Sequence, residues 1–218
     1  MAREPVHTET VHADPEDDFD AVLARYSESR DVADRARIDD EIWQAFGTEG
    51  AVFISDMSGF SRTTRALGIC HFLAQIYRVR PIVARAVGDH GGMLLKAETD
   101  NCYAFFPEVD QAIEAAIEIN RELDRHNQSR DSSDKCFVSI GIDWGRLLLI
   151  GEVEFFGDPV NTASKLGEDL AARSEILVTK RAMDRVTIAL DRVPDKRRDR
   201  ISGIDIDFVC LDMAIRNG

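Results

Sequence analysis

The order of apolar patterns along the chain, β-α-β-β-α-β with additions, predicts an α+β fold of the split-βαβ, ferredoxin-like kind. Three observations carry that prediction. Residues 51–56 (AVFISD) form a short, almost continuous apolar run ending at a carboxylate, the pattern of a buried strand. A helical stripe of Ile69, Phe72, Leu73, Ile76, Val79, Val83, Ala86 and Val87 follows, stopped by Gly91-Gly92. Two strand-like runs, 93–99 and 102–106, then flank Asp100-Asn101, residue types that tolerate positive φ and so suit a tight hairpin.

The remaining elements repeat the alternation. Ala112, Ile113, Ala116, Ile117, Asn120 and Leu123 supply a second helix face, and 137–142 and 147–150 read as strands joined through Trp144-Gly145. Helix 160–172, strand 175–179, helix 180–190 and strand 208–212 complete the pattern. Pro81 is expected to kink or divide the long helix. Ahead of residue 51, two short amphipathic helices are expected within 19–50, on Phe19, Val22, Leu23 and Tyr26 and then on Ile38, Ile42, Trp43 and Phe46. Residues 1–18 hold Pro5, Pro15 and an acidic cluster with almost nothing to bury, so a disordered tail is expected there, with the main domain at 51–218.

Composition narrows the function. The chain has 218 residues, 44% apolar and 31% charged, enough for a sizeable core and one to one and a half domains. Lys plus Arg number 27 against 40 Asp plus Glu, and a net charge of −13 argues against broad binding of nucleic acid or an anionic membrane. Residues 1–50 hold 14 of the acidic and 5 of the basic side chains, so the rest is only mildly negative. No run is long and apolar enough for a membrane helix and no signal-peptide pattern opens the chain, so a cytoplasmic protein is expected. Cys70, Cys102, Cys136 and Cys210 are scattered without metal-binding spacing and read as reduced thiols. The chain contains no GxxxxGK[ST], HExxH or GxSxG.

Three constellations bear chemistry. Strands 51–56 and 93–99 run parallel in a split βαβ, so Asp56 and Asp100 fall on one sheet edge although 44 residues apart. Two carboxylates beside the turn Met57-Ser58-Gly59 suit divalent cations and a triphosphate, with oxygen ligands for the metal and amide donors for phosphate. The spacing equally fits an Asp56 that caps a helix and an Asp100 that makes a turn. Asn161 and Lys165, four apart at a helix start, share one face that suits a ribose and a phosphate, or simply faces solvent. Lys96 lies four residues before Asp100, roughly 13 Å away at about 3.3 Å per residue, so it serves a different pocket or snorkels from the strand.

In this order and spacing, FISDMSGFS (53–61), KAETDNCYAFF (96–106), FGDPVNTASKLGEDLA (156–171) and EILVT (175–179) resemble the catalytic domain of class III adenylyl and guanylyl cyclases, over residues 51–212. The resemblance implies conversion of a nucleoside triphosphate to a 3′,5′-cyclic nucleotide and pyrophosphate, by two chains paired head to tail. It implies that Asp56 and Asp100 hold two Mg²⁺ or Mn²⁺ ions and that the N–H groups of Met57, Ser58, Gly59 and Phe60 hold the β and γ phosphates. It makes Lys96 and Glu154 the base readers, Asn161 the ribose-orienting residue and Lys165 the transition-state cation. An ammonium donor with a carboxylate acceptor matches adenine, so ATP is the expected substrate. Cytosine shares that polarity, and a catalytically silent nucleotide-binding module is the alternative from another class.

The sequence departs from the family pattern at three places. Thr99 stands where glycine is common, Lys165 replaces an arginine and cannot make its bidentate phosphate contact, and Ser202-Gly203-Ile204 occupies the place of a phosphate-binding lysine. Lys196, Arg197, Arg198 and Arg200 are the nearby substitutes for that lysine.

Overall fold

Strand β1 (Gly47–Met57) organises the fold in a computed structural model that describes residues 15–190, 194–201 and 203–212. The chain divides between Gly47 and Thr48 into two units. In the first, α1 (Pro15–Glu28) and α2 (Val32–Phe46) form a helical hairpin. Phe19 meets Phe46 edge-on at 5.3 Å, and Arg25 makes a two-bond fork with Glu41 at 2.9 and 3.0 Å. Asp31 caps α2 by accepting from the Asp34 N–H. Part of the segment 1–18, expected to be a disordered tail, is helical. Residues 15–18 form the first turn of α1, where proline is pre-set for the first helical position and acidic residue types complement the positive end of the helix dipole. Residues 1–14 lie outside the described part.

In the second unit β1 is followed by α3 (Phe60–Leu67), α4 (Ile69–Asp89), β2 (Met93–Glu98), β3 (Asn101–Phe106) and α5 (Val109–Asn127). Then come β4 (Val138–Ile150), β5 (Glu154–Phe156), α6 (Asp158–Ser164), a π-helical turn (Lys165–Leu170), β6 (Glu175–Thr179), α7 (Lys180–Met183), β7 (Asp195–Ile201) and β8 (Ile204–Asp212). One sheet runs β2-β3-β1-β4-β6-β8-β7, with β5 on β4. β1 and β2 both run antiparallel to the intervening β3, so they are parallel to each other as a split βαβ requires.

The apolar run in β1 is continuous because both faces are covered. Ala51 and Phe53 pack with α4 and α5 residues such as Phe72, Val83, Ile113 and Ile119. Val52 and Ile54 point the other way, into a smaller cluster with Leu147, Phe155 and Ala163. Period-2 alternation therefore puts Asp56 on the face that α6 covers.

Several expectations are corrected. The helical stripe lies wholly on α4, which runs unbroken through Pro81, and Gly68, with φ +86, separates it from the short α3. The hydrogen bond that Pro81 cannot donate would have gone to Tyr77, a residue 82% exposed, on the solvent side of the helix. β4 is one strand rather than two, since Asp143 to Gly145 stay extended. Helix 180–190 ends at Met183, and helix 160–172 splits into α6 and the π turn. β5 and β7 are additional, and β8 starts four residues before the expected 208. β7 (DKRRDRI) has no apolar alternation because it is an edge strand. It is held by charge across the ladder instead, with Arg198 directly opposite Asp207 at 2.6 Å.

Two glycines let the α6 segment lie on the sheet. A Cβ on Gly141 of β4 would sit 2.1 Å from the Ala163 carbonyl and 2.5 Å from the Gly167 nitrogen, and one on Gly167 would sit 2.8 Å from the Ile54 carbonyl. All three neighbours are backbone and cannot rotate away. We predict that Gly141→Ala lowers stability by about 1–3 kcal/mol or more, read as a urea midpoint, because the strand and the π turn must separate.

Candidate active site

The β1–β3 register builds the acidic edge. Ser55 pairs with Cys102, so the next residue of β1, Asp56, lies level with Asn101 and beside Asp100. Both aspartates are half-buried. Burial first, then the charges of Asp100 and Glu168, push the Asp56 carboxyl up to about 7. The Met57 N–H donates to that carboxylate and opposes the rise. No lysine or arginine among the described residues is ion-paired to Asp56 or Asp100. No group of three or more His, Cys, Asp or Glu among the described residues is arranged to hold a metal ion, so Asp56 and Asp100 are the two protein oxygen donors that would hold the Mg²⁺ or Mn²⁺ that the resemblance implies, with phosphate and water completing the shell.

The turn after β1 is partly used within the chain. The Met57 N–H serves Asp56, and the Ser58 N–H donates to the Phe137 carbonyl at 3.0 Å. That corrects the expectation of four free amides. Gly59, with φ +102, and Phe60 at the start of α3 have N–H groups with no acceptor among the described residues.

Lys96 and Glu154 are brought together. β5 folds back on β4 with Glu154 opposite Ile150, and the Lys96 ammonium lies 3.9 Å from the Glu154 carboxylate. It also lies 3.7 Å from Glu98 and 5.1 Å above the Tyr103 ring. The Tyr103 hydroxyl donates to Glu168 at 3.4 Å and accepts from the Asn101 amide at 3.3 Å. Glu168 also accepts from Ser164 at 2.7 Å.

Asn161 and Lys165 line one cleft of about 820 Å³ with Asp158, Ser164, Lys180 and Arg181. Neither the two aspartates nor Lys96 and Glu154 line it. Lys165 is tied to Asp169 at 2.9 Å. Arg181 is fixed by Asp143, a wholly buried carboxylate that it grips with two N–H donors, and by Asp158 at 2.6 Å. Asp143 also accepts from Thr179 and from the Trp144 N–H. The substitutes considered for the missing phosphate lysine are mostly committed elsewhere. Arg197 pairs with Glu175 and Asp195, Arg198 with Asp207, and Arg200 donates to the Gly203 carbonyl.

Glu168, Tyr103 and the Asp143–Arg181 pair were missed by sequence reasoning. Glu168 sits three past Lys165 and reads as one more helical charge, and Asp143 looks like part of a turn. Their importance lies in long-range neighbours that spacing does not carry.

The comparisons bear on the fold. No protein-family model matches the chain. Over 155 residues it is 27% identical to the terminal-differentiation-specific adenylate cyclase of Dictyostelium discoideum, covering 64% of this chain and 7% of that much longer protein. Its structure is similar to the guanylyl cyclase Cya2, with TM-score 0.67 and 17% identity over 75% of this chain and 91% of the other. It is likewise similar to an adenylate/guanylate cyclase/hydrolase from Silicibacter pomeroyi, with TM-score 0.65 and 23% identity over 75% and 96% of the two chains. The fold is that of the class III adenylyl and guanylyl cyclase catalytic domains. No helix among the described residues is long and apolar enough to cross a membrane.

The Asp56 shift has a definite sign in stability. Its folded carboxyl binds a proton more tightly than the unfolded value of 3.8, so its contribution is complete below that pH and is lost as pH rises to about 7. We predict that the urea midpoint of metal-free protein falls across this window relative to Asp56→Asn, which has no proton to lose there. Parallel pH profiles of the two would contradict the assignment.

Proposed function

We propose that the chain is an adenylyl cyclase that converts ATP to 3′,5′-cyclic AMP and pyrophosphate at the interface of a head-to-tail homodimer. One observation carries the reading. The two acidic groups meet at one rim of the sheet, and Lys96 of β2 meets Glu154 of β5. Lys96 stands four residues before Asp100, and with the resemblance to paired cyclase domains this supports a site whose acidic edge comes from one copy and whose base readers come from the other, two equivalent sites per symmetric dimer.

In that dimer Lys96 donates to adenine N1 and Glu154 accepts from the exocyclic amine. Their 3.9 Å separation is longer than a hydrogen bond, so a base edge replaces a weak contact rather than a tight ion pair. Asn161 orients the ribose so that its 3′-oxygen faces the α-phosphorus in line with the leaving pyrophosphate. Gly59 and Phe60 of the other chain donate to the terminal phosphates, and Asp56 and Asp100 there hold two Mg²⁺ or Mn²⁺ ions. When bound, those ions lower the pKa of the 3′-hydroxyl and neutralise phosphate charge. Lys165 supplies a cation to the transition state once it leaves Asp169. Lacking a guanidinium's fork, it makes a single point contact, so turnover is expected to be slow. The net negative charge and the ATP substrate fit a cytoplasmic enzyme without nucleic-acid or membrane partners.

A silent nucleotide-binding module is the second reading. It draws on Lys165 being held by Asp169 and on Asp205 and Asp207 lining the cleft where a phosphate-binding cation would help.

Purified protein incubated with ATP and Mn²⁺ is expected to form cyclic AMP, and Asp56→Ala to reduce the rate at least about 100-fold, as loss of a metal ligand does. ATP bound but unchanged after long incubation would establish the silent module. Exchanging the base readers (Lys96→Glu with Glu154→Lys) reverses the donor pattern and is expected to move preference from ATP toward GTP in a four-nucleotide competition. Unchanged preference would remove these two residues from base recognition, and CTP winning in the unmodified protein would make it a cytidylyl cyclase.

A further inference from the structure

The hairpin carrying Asp100 is held in a conformation that its own sequence disfavours. Glu98 pairs with Asn101, which leaves Thr99 and Asp100 as the two turn residues. The positive φ falls on Thr99, at +47, and not on Asp100 or Asn101. Left-handed backbone at the first central position of a two-residue hairpin is ordinarily given to glycine, and a β-branched residue there is strained. The departure noted in the sequence at Thr99 is therefore a real conformational burden, adjacent to a candidate metal ligand.

A side chain from outside the hairpin meets that burden. Arg80, near the middle of α4, donates through Nη2 to the Thr99 carbonyl at 2.7 Å. The side chain is half-buried, its Nε is buried without an acceptor, and among the described residues it has no carboxylate partner. A guanidinium taken partly out of water without a counter-ion is unfavourable unless its few contacts matter. Its charge is also felt at Cys102, the second residue of β3, so Arg80 lies beneath the root of the hairpin.

We propose that Arg80 is a positioning residue for Asp100: by holding the Thr99 carbonyl it fixes the turn and keeps the carboxylate beside Asp56. The role rests on the two-carboxylate reading of the site. It explains how the chain tolerates threonine where a glycine would need no support.

The test uses the full chain with Mn²⁺ alone, its affinity read by electron paramagnetic resonance, and with amide hydrogen exchange over residues 97–103 measured without metal. Arg80→Met keeps the apolar stem and removes the donor. It is expected to weaken Mn²⁺ binding about tenfold, as loss of a group that orients a metal ligand does, and to speed exchange in the hairpin by a similar factor. Adding Thr99→Gly, which adopts the turn without strain, is expected to restore both towards wild type. A purely structural role in α4 predicts no such rescue. Arg80→Lys, which keeps a donor, covers a failure of Arg80→Met to fold and is expected to fall between the two, with the same rescue. Unchanged exchange and affinity in Arg80→Met, or no rescue by Thr99→Gly, would overturn the proposal. Wild type binding Mn²⁺ no better than Asp100→Asn would instead overturn the two-carboxylate reading, while the exchange measurement still decides the clamp.

Discussion

Holding Asp56 beside Asp100 is unfavourable in the absence of a cation, and the pairing of β1 with β3 enforces it. The first is the end of a strand buried on both faces, and the second sits in the turn that begins the neighbouring strand. The ladder from Ala51–Phe106 to Ser55–Cys102 ends next to both, so its register sets where their backbones lie. Burial contributes most to the raised Asp56 carboxyl, and the charges of Asp100 and then Glu168 add to it. In the proposed reaction a divalent ion would relieve that repulsion, so a geometry unfavourable without a cation would become affinity for metal.

Close backbone contact sets the rest of the site. Gly141 and Gly167 let the π turn lie against β4 and β1 without intervening side chains, which brings Glu168 to the acidic edge and leaves Asn161 and Lys165 facing their own cleft. A π-helical turn widens the local spiral, and π turns are often found at functional sites. Here it begins at Lys165 itself. Tyr103 bridges the two regions, its ring under Lys96 and its hydroxyl between Asn101 and Glu168. The chain therefore links the Lys96–Glu154 pair to the acidic edge through hydrogen bonds and one cation–π contact.

Legibility in the sequence followed the range of the interaction. β1, α5 and β6 were readable because their apolar periods are local and intense, and the Asn161/Lys165 face followed from helical spacing. β7 was not, because an edge strand stabilised by Arg198–Asp207 carries no apolar alternation. The division expected at Pro81 falls instead at Gly68. A proline on the solvent side of a well-packed helix costs one hydrogen bond, whereas a glycine at φ +86 turns the chain outright.

By itself the sequence determined which residues form strands and helices in the core, and that two aspartates, a lysine and an Asn-x-x-x-Lys pair stand at spacings suited to nucleotide chemistry. Those properties depend on a few neighbouring residues, through φ preferences and the periods of helix and strand. Only the tertiary structure decided that Met57 and Ser58 have already used their amides, that Lys96 meets Glu154, that Glu168 faces Asp56, and that Arg80 steadies Thr99. Each is an electrostatic or hydrogen-bonded relation between groups remote in the chain, and its strength depends on separation in space and on burial, which a linear order does not specify.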